Sequence, residues 1–253
     1  MSFFSYIKII KMKKRSLALC SASLLALTVL PVFAADSSRT VSGGITANGT
    51  LEGYIDKSVF SIELPTISED TLDFIIDPQD LLQEDSSAYP GATFYEGTGL
   101  YFQTSTNIYT ENSAGITIVN KSSVPITLSV SASVDLSQEG VSLTNDPDFT
   151  NDAAPSVYLA LTDGIKPYPV DAEKESVTMT VTLDAVDESN YEVIYDPVEG
   201  YSYRLKPTTP VSEFNSFTFH LTGGCNKEAD WDGYQDVTAE MEVLWTIDTV
   251  GTP

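Results

Sequence analysis

Hydrophobic and polar side chains keep a period of two along the stretch from Ile116 to Val134. Ile126, Leu128, Val130, Ala132 and Val134 fall on one face, and Thr127, Ser129, Ser131 and Ser133 on the other. That period, with small β-tolerant polar partners, predicts a half-buried antiparallel strand. Lys121-Ser122-Ser123 supplies a turn ahead of it, and Pro125, which has no amide donor, marks a strand start or an edge. The same alternation returns three times. Val177, Met179, Val181 and Leu183 alternate with threonines; Phe217, Phe219 and Leu221 with Thr218, His220 and Thr222; Ala239, Met241, Val243, Trp245 and Ile247 with polar residues that include Glu240 and Glu242. Shorter strand-like runs lie within Leu51–Leu64, at Leu72–Ile76, Phe94-Tyr95, Leu100–Phe102 and Ser156–Thr162.

Turn chemistry separates these runs. Tyr191, Val193 and Tyr195 lead into Asp196-Pro197-Val198-Glu199-Gly200, and Tyr201, Tyr203 and Leu205 return, which reads as a hairpin. Asn145–Pro155 and Ile165–Ser176 read as loops, rich in Asp, Asn, Pro or charge. Helical signals are sparse: a turn at Asp80–Gln83, and one short helix at Asn226–Tyr234, weakened by Gly233. About ten strand signals and no sustained 3.6 period predict an all-β chain, an antiparallel β-sandwich of Ig-like or jelly-roll-like kind, with at most one short helix.

Charge divides the chain. Lys8, Lys11, Lys13, Lys14 and Arg15 precede an apolar run from Leu17 to Phe33, which exits through Ala34-Ala35, and the first acidic residue is Asp36. Basic start, apolar centre and small-residue exit are the pattern of a secretory signal peptide over residues 1–34, with Met12 an alternative start. Leu19 in front of Cys20 is too large for a lipoprotein site. Residues 35–253 then form a single β-sandwich domain behind a loose arm, Asp36 to Asn48. With five of the 13 basic residues removed and all 36 acidic ones kept, its formal charge is −28. Such a field repels nucleic acid and anionic lipid, and no membrane insertion is expected after cleavage. Cys225 is then the single cysteine, so no intrachain disulfide forms and a buried thiol is expected.

Chemistry-bearing residues are few. His220 is the one histidine, and no Gly-x-Ser-x-Gly elbow accompanies it, so a nucleophilic triad has no signal. Paired carboxylates suit glycoside hydrolysis, but none of the many acidic pairs stands apart. Asp146, Asp148 and Asp152, with Asn145 and Asn151, offer oxygen ligands for Ca²⁺ without the spacing of an EF-hand loop; the same residues suit turns that bond their own backbone. Tyr191, Tyr195, Tyr201 and Tyr203 form a ladder on one hairpin face. Exposed, it is a stacking platform for sugars; packed inward, it stabilises the sheet. Trp231 either caps the core or marks the edge of a ligand site, and Trp245 is a core residue. Asn48-Gly49-Thr50 and Asn120-Lys121-Ser122 match the glycosylation sequon.

The Lys-rich leader, the acidic β chain without disulfides and the final strand Ala239-Glu240-Met241-Glu242-Val243-Leu244-Trp245-Thr246-Ile247 resemble WxL-type cell-wall proteins of Gram-positive bacteria. That family's motif has leucine where this chain has Ile247, and Trp231-Asp232-Gly233 does not make a second copy. The resemblance implies non-covalent attachment to the cell wall. The expectation is therefore an exported, non-enzymatic surface protein whose partners are a wall polymer or other surface proteins, with self-assembly open. A carbohydrate-binding module is the alternative, and a glycoside hydrolase a third reading. No cofactor other than Ca²⁺ is expected.

Overall fold

The structure, a computed structural model, describes residues 55–66, 72–95, 97–136, 140–150, 152–234, 237 and 239–250. The expected signal peptide, the expected N-terminal arm and the Asn48 sequon lie outside them. The strands are β1 (Ile62–Glu63), β2 (Phe74–Ile76), β3 (Thr93–Phe94), β4 (Leu100–Ser105), β5 (Ile108–Thr110), β6 (Ile116–Asn120), β7 (Ile126–Leu136) and β8 (Ser142–Thr144). There follow β9 (Ser156–Thr162), β10 (Pro167–Pro169), β11 (Ser176–Leu183), β12 (Tyr191–Asp196), β13 (Gly200–Leu205), β14 (Asn215–Cys225) and β15 (Ala239–Thr249). The one α-helix among the described residues, α1, is a single turn at Leu81–Glu84.

Two sheets make the sandwich. The larger has the order β1-β6-β14-β9-β10, with β8 also pairing β9; the smaller is β11-β7-β15. β7 is the central strand of the smaller sheet. Its Ile126, Leu128, Val130, Ala132 and Val134 are all at most 3 % exposed. Leu128, Val130, Ala132 and Val134 meet Ile116 and Ile118 of β6, Leu159 and Leu161 of β9, Phe219 and Leu221 of β14, and Val243 and Trp245 of β15 in one continuous core. The outward hydroxyls of β7 face those of β11 in register, from Ser133 opposite Ser176 to Thr127 opposite Thr182. The alternation therefore places both faces as the sequence predicts, and the strand begins just after Pro125.

A four-stranded sheet, β2-β4-β5-β3, docks on the end of β14. Thr98 Oγ1 donates to the Gly223 carbonyl at 2.5 Å, the Cys225 amide to the Thr98 carbonyl at 2.9 Å, and Lys227 pairs with Asp80 at 2.6 Å. Close approach is possible because β14 carries Gly223 and Gly224 there: a Cβ on Gly224 would lie 2.8 Å from Thr98.

Four sequence expectations change. Asn226–Tyr234 forms turns instead of a helix. The Asn226 side-chain oxygen accepts from the Glu228 amide, its main-chain carbonyl accepts from Trp231 Nε1, and Gly233 has φ +89°, so the helical pattern has no start. The loop Ile165–Ser176 contains β10, whose Tyr168 lies opposite Leu161; prolines flank it, which an edge strand tolerates. Not all pairing is antiparallel, because β3 with β5 and β8 with β9 run parallel. Upstream of β1, residues 55–60 carry no strand.

Candidate functional site, an aromatic hairpin

Among the described residues β12 and β13 pair only with each other, so the hairpin is a sheet of its own. Asp196 Oδ1 accepts from the amides of Val198 and Glu199, and Gly200 takes φ +80°, which closes the turn. Register places Tyr191 opposite Leu205, Val193 opposite Tyr203 and Tyr195 opposite Tyr201, all on one face. Glu192 and Arg204 pair on the reverse face at 3.0 Å.

The four tyrosines do not act as one ladder. Tyr191 is buried, and its hydroxyl donates to the Lys121 carbonyl at 2.6 Å. Burial, followed by the neighbouring Tyr203, pushes its pKa far above the ordinary tyrosine value. Tyr203 stacks on it with ring centroids 5.2 Å apart and planes 17° apart, and the Lys57 ammonium lies over the Tyr203 ring at 5.6 Å. Lys57 in turn pairs with Glu188. Lys206 completes this root through its ammonium to the Ser189 carbonyl and its amide to the Asn190 carbonyl. Tyr195 and Tyr201, by contrast, are 64 % and 59 % exposed, with centroids 5.0 Å apart and planes 56° apart. Val193 and Val198 beside them are exposed as well.

Of the predicted ligand set, then, Tyr195 and Tyr201 stand free. Tyr191 is corrected to a root residue, because its ring is buried and its hydroxyl is bonded inside. Trp231 is not part of this group. Its Nε1 is bonded at Asn226, beyond the last residue of β14, whereas Tyr191 is bonded at Lys121, beside Asn120, which lies opposite the first residue of β14. An eleven-residue strand separates them, about 33 Å at ~3.3 Å per residue. Trp231 is half-buried and packs against the core, the capping role. Lys57 had no sequence signal, since 131 residues separate it from Glu188.

Two of the calcium candidates, Asp146 and Asp152, are engaged by nearby groups of the chain. Asp146 Oδ1 accepts from the Asp148 amide, and its Oδ2 from the Thr150 amide and hydroxyl. Those bonds hold its carboxyl below the ordinary carboxylate value, the Thr150 hydroxyl contributing most. Asp152 Oδ2 accepts from the Ser156 hydroxyl. Among the described residues no three acidic, histidine or cysteine side chains gather as metal ligands. The Asn120 sequon is closed in the fold, because that side chain is fully buried and its Nδ2 is bonded to the Val124, Leu183 and Asp184 carbonyls. His220 is half-buried, with Nδ1 at 3.1 Å from the Ser113 carbonyl.

Among the described residues no helix is long and apolar enough to cross a membrane. No protein-family model, curated protein or solved structure matches the chain.

Proposed function

We propose that this chain is an exported, non-enzymatic protein of the bacterial surface, held at the envelope through the tip of its aromatic hairpin. One observation carries the reading: Val193, Tyr195, Val198 and Tyr201 are exposed together on a two-stranded sheet that, among the described residues, pairs with no strand of the sandwich. Exposed apolar groups clustered in this way mark contact surfaces. The leader-like first 34 residues and the acidic composition support export. Trp245, the tryptophan that carries the WxL resemblance, packs in the core. It serves the fold, so wall contact falls to the hairpin. Sedimentation with isolated Gram-positive cell walls tests this. The purified chain is expected in the pellet, and the Tyr195→Ala/Tyr201→Ala variant in the supernatant. Equal amounts of both proteins in the supernatant would overturn the reading.

The tyrosine tip also favours a second reading, carbohydrate binding. Aromatic rings stack on the apolar C–H faces of sugars, and the phenol hydroxyls offer hydrogen bonds to the rim. A glycan array probed with the wild type and the double variant tests it; absence of Tyr-dependent signals would remove it.

A further inference from the structure

We propose that the free edge of β11 is a pairing edge, through which two copies of this chain join their smaller sheets about a twofold axis. β11 is an outer strand of the sheet β11-β7-β15. The Val134 amide donates to the Glu175 carbonyl at 3.0 Å, which sets the phase of the β7–β11 ladder. Val177, Met179, Val181 and Leu183 therefore exchange their backbone bonds with β7, and Ser176, Thr178, Thr180 and Thr182 turn theirs outward. The Ser176 carbonyl is accordingly taken by the Asp171 amide at 3.1 Å. Among the described residues no backbone group pairs with the outward groups of Thr178, Thr180 and Thr182. The flank is open as well, because Val177 and Val181 face the core and are still only half-buried.

The other outer strands of the two sheets are guarded against pairing. β10 carries Pro167 and Pro169, β1 and β8 are two and three residues long, and β15 sets Glu240, Glu242 and Asp248 on its outer face. β11, eight residues from Ser176 to Leu183, has no charge, proline or glycine. A second copy is the occupant because the strand complements itself. With Thr180 of one copy opposite Thr180 of the other, an antiparallel ladder places each Thr178 opposite a Thr182, and each of these pairs exchanges two backbone bonds. The same register sets Met179 against Val181 and Val177 against Leu183 on the core side. On the outer side threonine meets threonine, a cross-strand pair that stabilises sheets. At the ends Asp184 meets Ser176 and Glu175 meets Ala185, so no acid faces an acid. This neutrality matters in a chain of net charge −23, whose copies repel each other elsewhere. The contact is isologous and closes at two copies, since the margins of the joined sheet are the guarded β15 strands.

The test uses the full chain with Cys20→Ser, so that the buried Cys225 is the one remaining thiol. Sedimentation equilibrium is expected to show a monomer–dimer equilibrium that tightens as salt screens the acidic charge. Thr180→Lys sets two ammonium groups face to face and should weaken association at least about tenfold, with the thermal melt of the dilute monomer unchanged. Glu242→Lys on β15 should not weaken it. Under oxidation Thr180→Cys should crosslink to its twin, at a Cα separation of about 5.5 Å in a hydrogen-bonded pair. Thr178→Cys, about 13 Å along the ladder from its own twin, should not. A protein that is monomeric at every concentration and gives no Thr180→Cys crosslink overturns the proposal, as does a dimer that survives Thr180→Lys. Crosslinking through Thr178→Cys instead of Thr180→Cys overturns the register. Slow exchange of the Thr178, Thr180 and Thr182 amides in a protein that stays monomeric also overturns it, and would put another segment of the chain on this edge.

Discussion

Cys225 donates its thiol hydrogen to the Gly99 carbonyl at 3.2 Å, and a Cβ on Gly99 would lie 2.6 Å from that sulfur. Gly99 also has φ +76°, a conformation that favours glycine. Gly99→Ala is therefore expected to cost about 1–3 kcal/mol through overpacking, with backbone strain in addition. In the Cys225→Ala background the sulfur is gone and the closest clash with it, which leaves the Asp77 carbonyl oxygen at 3.2 Å as the nearest neighbour of the added methyl. The double variant should thus lose less than the sum of the single losses, a coupling of about 0.5–3 kcal/mol measurable by urea unfolding. Strict additivity would show that the two sheets do not meet at this contact. The thiol itself, buried and pushed up to about 12 by desolvation, should resist alkylation at pH 8 until the chain unfolds.

Asn120 ends the core face of β6 as a buried polar hub. Besides its three carbonyl acceptors, its Oδ1 accepts from the Ser122 amide at 2.9 Å. It ties the β6–β7 turn to the end of β11. Asn120→Asp points a carboxylate at three carbonyls, and an uncompensated buried charge costs about 3–5 kcal/mol. Burial raises that carboxyl's folded pKa, so the deficit should be largest at neutral pH and shrink as the pH falls and the group becomes protonated. Thermal melts at pH 7 and pH 4.5 check this. A deficit independent of pH would mean that the new side chain had turned out to water.

Trp245 Nε1 is buried without a hydrogen-bond partner among the described residues. An unpaired buried donor costs about 1–3 kcal/mol. Trp245→Phe removes it and leaves a small void, so the two effects offset and stability should change by no more than about 1 kcal/mol. Trp245→Ala, which empties the site, should cost about 3–5 kcal/mol. If the phenylalanine variant loses as much as the alanine one, the indole N–H is bonded in solution.

The sandwich was legible where one face of a strand is dry and the other wet. Leu128, Val130 and Ala132, like Val243 and Trp245, follow a period of two because each residue's burial is decided by the sheet it belongs to. β10 escaped notice because it is a three-residue edge strand, Pro167-Tyr168-Pro169, in which two of the residues are prolines and the run is too short to show alternation. The helix expected at Asn226–Tyr234 failed because Asn226 bonds its neighbours locally, a competition that hydrophobic periodicity does not register. At the hairpin, sequence placed four tyrosines on one face correctly. It could not divide them, because the division depends on Lys57 and Lys121, which reach the root from far along the chain.

Asp146 predicts a pH dependence. Its folded pKa lies below 3.8 because Thr150 and the Asp148 amide bond the charged form. A depressed carboxyl contributes stability above its unfolded pKa and loses it as the pH falls through the folded value. Asp146→Asn keeps one acceptor oxygen and loses the bonds from Thr150. The variant should melt below wild type at pH 6, and the gap should narrow as the pH falls through 3.8 and vanish below the folded value. A gap constant with pH would assign the effect to something other than ionisation.

The two tyrosine pairs should separate in stability as they do in exposure. Tyr191→Ala removes a buried ring and its stacking on Tyr203, with an expected loss of about 3–5 kcal/mol. Tyr191→Phe keeps the ring and breaks the bond to the Lys121 carbonyl, costing about 1 kcal/mol. Tyr195→Ala and Tyr201→Ala remove exposed rings and should each cost no more than the ~0.2–1 kcal/mol of a cross-strand pair. Urea unfolding of the four variants measures this order. A loss at Tyr195 or Tyr201 comparable to that at Tyr191 would mean the tip rings hold the hairpin together, and their truncation would then be unable to report on binding. With the expected order, lost binding in the tip variants is lost contact with the ligand, since the hairpin's root remains intact.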